Sequence, residues 1–171
     1  LEDNAAHHFG TISYPGDSIN QEYREGILVG YRWHDTKAIK PQFAFGHGLS
    51  YTSFEISEVA ATKAVYTPEE EIAVSCLVEN TGNLAGQEVI QVYVGKPDSK
   101  VDRAQKELKA FQKVYLDQGT KRRYELTFKV SDLAYYDESI SDWSLETGEY
   151  IIYVGNASDR IFGEVKIRVR K

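Results

Sequence analysis

The chain has a single cysteine, no methionine and no long hydrophobic run. With Cys76 alone, an intramolecular disulfide is excluded. Cys76 continues an alternating apolar pattern and has no neighbouring base in the sequence, which predicts a buried small side chain rather than a nucleophile. The apolar stretches are far shorter than the roughly 20 residues of a membrane-spanning helix. We therefore expect no membrane span.

Positive charge is also scarce, with 20 Lys and Arg against 26 Asp and Glu and a formal net charge of −6. The only basic run, residues 121–123, is flanked by acidic residues and indicates a solvated strand face. Nucleic-acid binding requires clustered Lys and Arg to neutralise phosphates, so we expect no nucleic-acid partner.

Metal-site patterns are missing as well. The four histidines, His7, His8, His34 and His47, lack the spacing and flanking acidic residues of a metal-binding helix. The adjacent pair His7 and His8 suits at most adventitious metal binding. We expect neither a metal nor another cofactor.

Short strands with a side-chain period of two fill the chain from about residue 52 to residue 171. Turn signals rich in Gly, Asn and Asp separate them, which predicts an all-β fold, an immunoglobulin-like antiparallel β-sandwich of about seven strands. The alternation predicts nine buried positions: Val74, Cys76, Ile90, Val92, Leu126, Phe128, Ile152, Val154 and Ile167.

Residues 1–51 are too few and too mixed in composition for a domain of their own. The apolar run GILVGYRW at 26–33 predicts a strand buried on both faces. We interpret 1–51 as the C-terminal tail of a preceding α/β domain plus a linker, and 52–171 as the sandwich domain. Phe43, Phe45 and Tyr51 are expected to hold the linker on the sandwich, because so much aromatic area favours burial.

The triplet Ser141-Asp142-Trp143, followed by Glu146, suggests a catalytic carboxylate pair. Glycoside hydrolysis needs two carboxyl groups about 5 to 10 Å apart across the scissile bond. Along a strand Asp142 and Glu146 would be about 13 Å apart, which is too far. We therefore predict no catalytic residue here, with both carboxylates solvated and Trp143 packed on the edge of the sandwich.

Tyr31 and Trp33, at the end of the apolar run, and His34, directly after it, are candidates for substrate binding. Aromatic faces stack on sugar rings, so these side chains could border a sugar cleft. Packing of the tail against the sandwich is the favoured interpretation, because half-buried aromatic residues usually serve that purpose.

Several motifs occur in the order typical of one enzyme family, glycoside hydrolase family 3, the β-glucosidases and their β-xylosidase relatives. YREGILVGYRWHD at 23–35 resembles the last part of that family's α/β domain, and PQFAFGHGLSYTSFEIS at 41–57 resembles the segment that follows it. Four further segments resemble the fibronectin type III-like domain: 80–99, 106–119, 133–138 and 143–158.

The resemblance implies the C-terminal scaffold of a retaining exo-acting β-glycosidase, most specifically a β-glucosidase, that is periplasmic or secreted. Its partners would be the upstream catalytic domains of the same protein and, in the intact enzyme, an oligosaccharide. The catalytic carboxylates would precede Tyr23. Ser141-Asp142-Trp143 matches the family's nucleophile motif by letters only, because it lies within the fibronectin-like stretch. Arg103-Ala104 stands where the family often has Arg-Pro.

The chain has no initiating methionine and no signal sequence, so we expect it to come from a longer protein. Two other functions remain open. A carbohydrate-binding module would need a planar row of exposed aromatic residues, for which Tyr135, Tyr136, Tyr150 and Tyr153 are candidates. A protein-interaction module would need an exposed apolar patch or edge strand.

Overall fold

The computed structural model of the protein describes residues 8–170. Within them lie one short helix, α1 (Tyr31–Lys37), a 3-10 turn (Val130–Leu133) and ten strands. The strands are β1 (Phe54–Ala61), β2 (Val65–Tyr66), β3 (Glu71–Asn80), β4 (Gly86–Gly95), β5 (Glu107–Leu116), β6 (Lys121–Lys129), β7 (Tyr135–Asp137), β8 (Asp142–Ser144), β9 (Gly148–Ala157) and β10 (Arg160–Val169).

Two sheets form the sandwich. One has the strand order β1-β3-β6 and the other β2-β10-β9-β4-β5. Their pairs are antiparallel except for the short parallel pair between β2 and β10. Strands β7 and β8 form a separate hairpin. The predicted all-β sandwich is confirmed, with eight strands in its two sheets rather than about seven.

The buried core residues of β3 and β6 occupy every second position, as the alternating sequence pattern predicts. In β3 every second side chain, from Ile72 to Val78, is buried, and these lie beside buried side chains of the neighbouring strand β6, such as Phe128 next to Ile72. All nine positions that the alternation predicted are buried. Burial raises the pKa of the Cys76 thiol to about 11, so the thiol stays protonated and unreactive, as expected of a small hydrophobic side chain.

A buried asparagine joins the start of the sandwich to the end of β3. The Asn80 amide donates to the carbonyl oxygens of Leu84 (2.8 Å) and Leu116 (3.1 Å). Its oxygen accepts from the Thr52 hydroxyl (2.7 Å) and the Gly82 N–H (3.1 Å). Four satisfied hydrogen bonds offset the cost of burying this polar group and fix the entry of the linker.

The linker aromatic residues behave differently from the prediction. Tyr51 is 97% exposed, Phe43 is exposed, and about half of Phe45 remains in contact with solvent. The expected burial of all three is therefore wrong. The linker is held by its backbone instead, because the Ser158 N–H donates to the Phe45 carbonyl oxygen (2.8 Å) and Gly46 lies so close to the Gln91 side chain that no Cβ would fit.

The apolar run at 26–33 was also interpreted wrongly. Residues 24–27 form a turn and residues 28–29 are irregular, with Ile27 and Val29 exposed, and Gly30, at φ 61°, leads directly into α1. A strand buried on both faces needs a sheet around it. In the described part of the chain no strand pairs with 26–29.

Two phenylalanines in the sandwich provide a matched test of this core. Phe128→Ala removes a buried ring and should lower the free energy of unfolding by about 3 to 5 kcal/mol. Phe111→Ala removes an exposed ring on β5 and should change it by no more than about 0.5 kcal/mol. Urea denaturation measures both, and equal losses would contradict the two-sheet packing.

Candidate functional site

A cleft of about 590 Å³ lies between the end of α1 and the five-stranded sheet. His34 and Asp35 of α1 and the following residues 38–41 border one side. The other side is formed mainly by polar side chains: Gln105, Lys106, Tyr153, Ser158, Asp159 and Glu164. His34, one of the predicted substrate-binding residues, borders this cleft, so the positions of Tyr31 and Trp33 relative to it decide whether the three can act together.

Tyr31 contacts the sandwich rather than the cleft. Its hydroxyl accepts a hydrogen bond from the Leu108 N–H (2.9 Å). Its ring stacks on Phe45 at 4.9 Å between centroids and meets the ring of Tyr93 edge-on at 5.8 Å. The Tyr31 ring is therefore packed against other aromatic rings, and its hydroxyl has a hydrogen-bond partner.

Trp33 and His34 point to different surroundings. Trp33 is buried beside the rings of His8 (5.1 Å) and Phe9 (5.3 Å), with the Lys37 ammonium 5.5 Å from its centroid. His34 borders the cleft, and its Nδ1 lies 3.1 Å from the Ile39 carbonyl oxygen. Of the three predicted residues only His34 lines the cleft, so the structure does not bring them together in one site. Their substrate-binding role stays a prediction.

The residues that join α1 to the sandwich were missed in the sequence. Asp35 and Lys106 form an ion pair at 2.8 Å, and both side chains are largely buried. Beside it, the Gln105 N–H donates to the Thr36 hydroxyl (3.0 Å), and Arg32 pairs with Glu107 at 3.4 Å. We call this set of contacts, together with the Tyr31 hydrogen bond, the seam.

No local sequence signal points to the seam, because its partners are distant along the chain. Thr36 and Gln105 are 69 residues apart, and Tyr31 and Leu108 are 77 residues apart. A helix of only seven residues makes few contacts of its own. The seam supplies those contacts and fixes the cleft beside it.

Glu146 is not solvated, contrary to the prediction. Its carboxylate accepts hydrogen bonds from the Ser99 hydroxyl (2.7 Å) and the Lys100 N–H (2.8 Å), and lies 3.5 Å from Arg103. Burial pushes the pKa of Glu146 upward, but the hydrogen bonds and the charge of Arg103 outweigh it, so the pKa lies below its ordinary value. The ionised Glu146 carboxylate therefore holds the loop 96–105 in position through these hydrogen bonds.

Arg103 extends that network toward the β7–β8 hairpin. Its guanidinium donates to the Leu133 carbonyl oxygen (2.6 Å) and lies 5.9 Å from the centroid of the Tyr135 ring. The arginine thus connects the loop 96–105 with the 3-10 turn and the first hairpin strand. A guanidinium suits such a site, because its N–H groups can donate hydrogen bonds in several directions at once.

Asp142 and Glu146 contact different partners. It lies exposed on β8, where its carboxylate accepts a hydrogen bond from the Trp143 N–H (2.7 Å). Glu146 is bound by Ser99 and Lys100 instead. Trp143 is itself exposed and contacts Tyr136, so its predicted packing on the sandwich edge is wrong.

The four candidate tyrosines of a carbohydrate platform do not form one exposed row. Tyr150 is buried, and its hydroxyl donates to the Glu146 carbonyl oxygen (2.7 Å). Tyr153 borders the cleft, whereas Tyr135 and Tyr136 lie on the hairpin. A planar stacking surface therefore cannot be built from them.

Between residues 8 and 170, no three His, Cys, Asp or Glu side chains are grouped in a way that could hold a metal ion. No helix in that part of the chain is long and apolar enough to cross a membrane.

Comparisons with known proteins agree with this architecture. Residues 88–158 match the fibronectin type III-like domain. The chain is 46% identical over 165 residues to beta-glucosidase BoGH3A of Bacteroides ovatus, covering 96% of this chain and 22% of that protein. It is 42% identical over 164 residues to thermostable beta-glucosidase B of Acetivibrio thermocellus, again covering 96% of this chain and 22% of the relative.

A solved structure gives the same result. The fold superimposes on that of DesR, a beta-glucosidase from Streptomyces venezuelae, with a TM-score of 0.89 and 35% identity, covering 98% of this chain and 21% of DesR. The chain spans about a fifth of the length of the relatives that it matches.

The seam ion pair can be tested by removing one partner. Lys106→Ala leaves the largely buried Asp35 without a counter-charge and should lower the free energy of unfolding by about 3 kcal/mol. The matched control, Lys63→Ala, breaks the more exposed pair with Glu70 and should cost about 0 to 1 kcal/mol. Urea denaturation compares them. Equal small losses would show that the seam does not hold α1.

The Glu146 network predicts a pH dependence. Because the pKa of Glu146 is lower in the folded protein than its ordinary value of 4.5, its ionised form stabilises the fold above that value. This contribution is lost as the pH falls through the lowered pKa. Glu146→Gln should therefore be less stable than the wild type at pH 7, with the difference shrinking below pH 4.5. A difference that stays constant down to pH 3 would contradict the assignment.

Proposed function

Because the chain corresponds to the C-terminal part of a glycoside hydrolase family 3 enzyme and contains its fibronectin type III-like domain, we propose that its parent protein is a retaining exo-acting β-glycosidase. The specific activity proposed is that of a β-glucosidase, which hydrolyses terminal β-linked glucose from oligosaccharides. The beta-glucosidases among the relatives support this choice.

The chemistry requires two carboxyl groups outside this chain. One attacks the anomeric carbon to form a glycosyl-enzyme, while the other protonates the leaving group and then activates water. Support comes from the acidic residues present. Asp142 is exposed to solvent, whereas Glu146 is kept ionised by hydrogen bonds from the loop 96–105, so the two carboxyl groups do not form an acid and nucleophile pair.

The role proposed for this part of the enzyme is that of a scaffold. The observation that carries it is the seam, in which the Tyr31 hydroxyl, the Thr36 hydroxyl and the Asp35–Lys106 pair fix α1 to the sandwich. Contacts of this kind hold a preceding domain in a defined orientation. The tail 1–51 would then belong to the α/β domain, and 52–171 would be the fibronectin-like domain.

The family resemblance supports a periplasmic or secreted location for the intact enzyme. Cell fractionation followed by detection of the protein with an antibody would test this. Recovery of the protein from the cytoplasmic fraction would refute it.

The catalytic assignment has a direct test with aryl β-glucoside and aryl β-xyloside. The intact protein should hydrolyse the glucoside with retention of anomeric configuration, and Asp142→Asn should leave its kcat/KM unchanged. Purified residues 1–171 should show no turnover, because the chain lacks the two convergent carboxyl groups. Turnover by residues 1–171 that disappears in the Asp142→Asn variant would overturn the assignment.

A further inference from the structure

The β7–β8 hairpin leaves three large apolar side chains more than half exposed. Tyr136 is 52% exposed, Ile140 is 61% exposed and Trp143 is 67% exposed. Tyr136 and Trp143 are direct cross-strand partners. We call these three side chains the hairpin surface. Exposed clusters of large apolar side chains commonly mark interaction sites.

The hairpin is held in place from both ends. In its turn, the Asp137 carboxylate accepts hydrogen bonds from the Ser139 N–H (2.9 Å) and hydroxyl (2.6 Å). At its base, Arg103 bonds to Leu133 and lies over the Tyr135 ring. Because the hairpin is already ordered, a partner would bind it at little cost in conformational entropy.

The ring geometry favours a protein partner over a carbohydrate. The rings of Tyr136 and Trp143 are 5.8 Å apart and inclined at 81°, so they are nearly perpendicular. A polysaccharide platform needs a planar row of aromatic faces, which this pair cannot present. Trp and Tyr are enriched at the centres of protein interfaces, and the exposed aliphatic Ile140 adds to that character.

The position of the hairpin indicates which protein surface it meets. Arg103, which supports the hairpin, is followed within three residues by Gln105 and Lys106, which bind α1 in the seam. The preceding segment, at His8 and Phe9, packs on Trp33 of α1. The base of the hairpin thus lies beside the start of β5, next to the residues that bind α1, and its support is continuous with the seam.

We propose that the hairpin surface docks on the catalytic domains that precede this chain in the intact enzyme. The proposal rests on the proposed function, since it requires the longer protein of which this chain would form about a fifth, as it does in its relatives. Trp143 is the anchor of this contact, and Tyr136 orients its ring. The docking gives the sandwich a second attachment besides the seam.

Thiol labelling of the intact protein tests the proposal. Ile140→Cys places a thiol on the hairpin surface, and Leu84→Cys places one at a similarly exposed apolar position, 56% exposed, in the β3–β4 turn. Maleimide labelling is followed by peptide mass spectrometry, and each rate is divided by the rate of the same variant in urea. Position 140 should react about tenfold or more slowly than position 84, because labelling then requires the contact to open.

Three further measurements identify the occupant. Protection at position 140 should persist on dilution and without added sugar, and adding Trp143→Ala to the Ile140→Cys variant should abolish it. Equal labelling at 140 and 84, or protection that Trp143→Ala leaves unchanged, would overturn the proposal. Protection lost on dilution would indicate a second copy, and protection seen only with cellobiose would indicate a carbohydrate site; either would also overturn it.

These rates do not depend on turnover. If position 140 is protected in an intact protein that hydrolyses no β-glycoside, the docking proposal stands and only the β-glucosidase assignment is refuted.

Discussion

The ion pair between Asp35 and Lys106 is the contact on which the arrangement of the two parts depends. Both side chains are largely buried, so each charge has lost most of its hydration and depends on the other for compensation. Such a pair contributes little net stability compared with apolar packing, but it penalises every orientation that separates the charges. The position of α1 and the shape of the cleft beside it depend on this pair.

The loop 96–105, which leads into Lys106, also organises the base of the β7–β8 hairpin. Arg103 connects the 3-10 turn and the hairpin, while Glu146 accepts hydrogen bonds from Ser99 and Lys100. Hydrogen bonds and ion pairs between largely buried polar groups fix a unique geometry where apolar packing alone would permit sliding. The sandwich therefore carries two structured polar regions at one end, each made from residues distant along the chain.

The strands and core of the sandwich could be predicted because their signal is local. A period of two in β3, β6 and β9 assigns faces without knowledge of the partner strand, and the nine positions chosen in this way are buried. The run at 26–33 could not be assigned correctly, because a short apolar run is compatible with a buried strand or a packed helix until its surroundings are known. Tyr51 shows the same limit, since aromatic area predicts burial only where a covering surface exists.

The candidate site was predictable only in part. Tyr31, Trp33 and His34 were found as aromatic residues beside an apolar run, yet Lys106, their neighbour across the seam, carries no signal in its own stretch of sequence. Glu146 was misjudged for the same reason, because its hydroxyl partner is 47 residues away. Contacts between distant residues depend on strand order, which alternation does not specify.

Amide hydrogen exchange of the intact protein tests the central claim most directly. The Gln105 and Leu108 N–H groups donate to side-chain oxygens of α1, those of Thr36 and Tyr31. If the seam joins tail and sandwich into one scaffold, both amides should exchange slowly and lose protection together with the amides of α1. Fast exchange at Gln105 and Leu108, while the β4–β5 ladder stays protected, would show that the tail is not fixed to the sandwich.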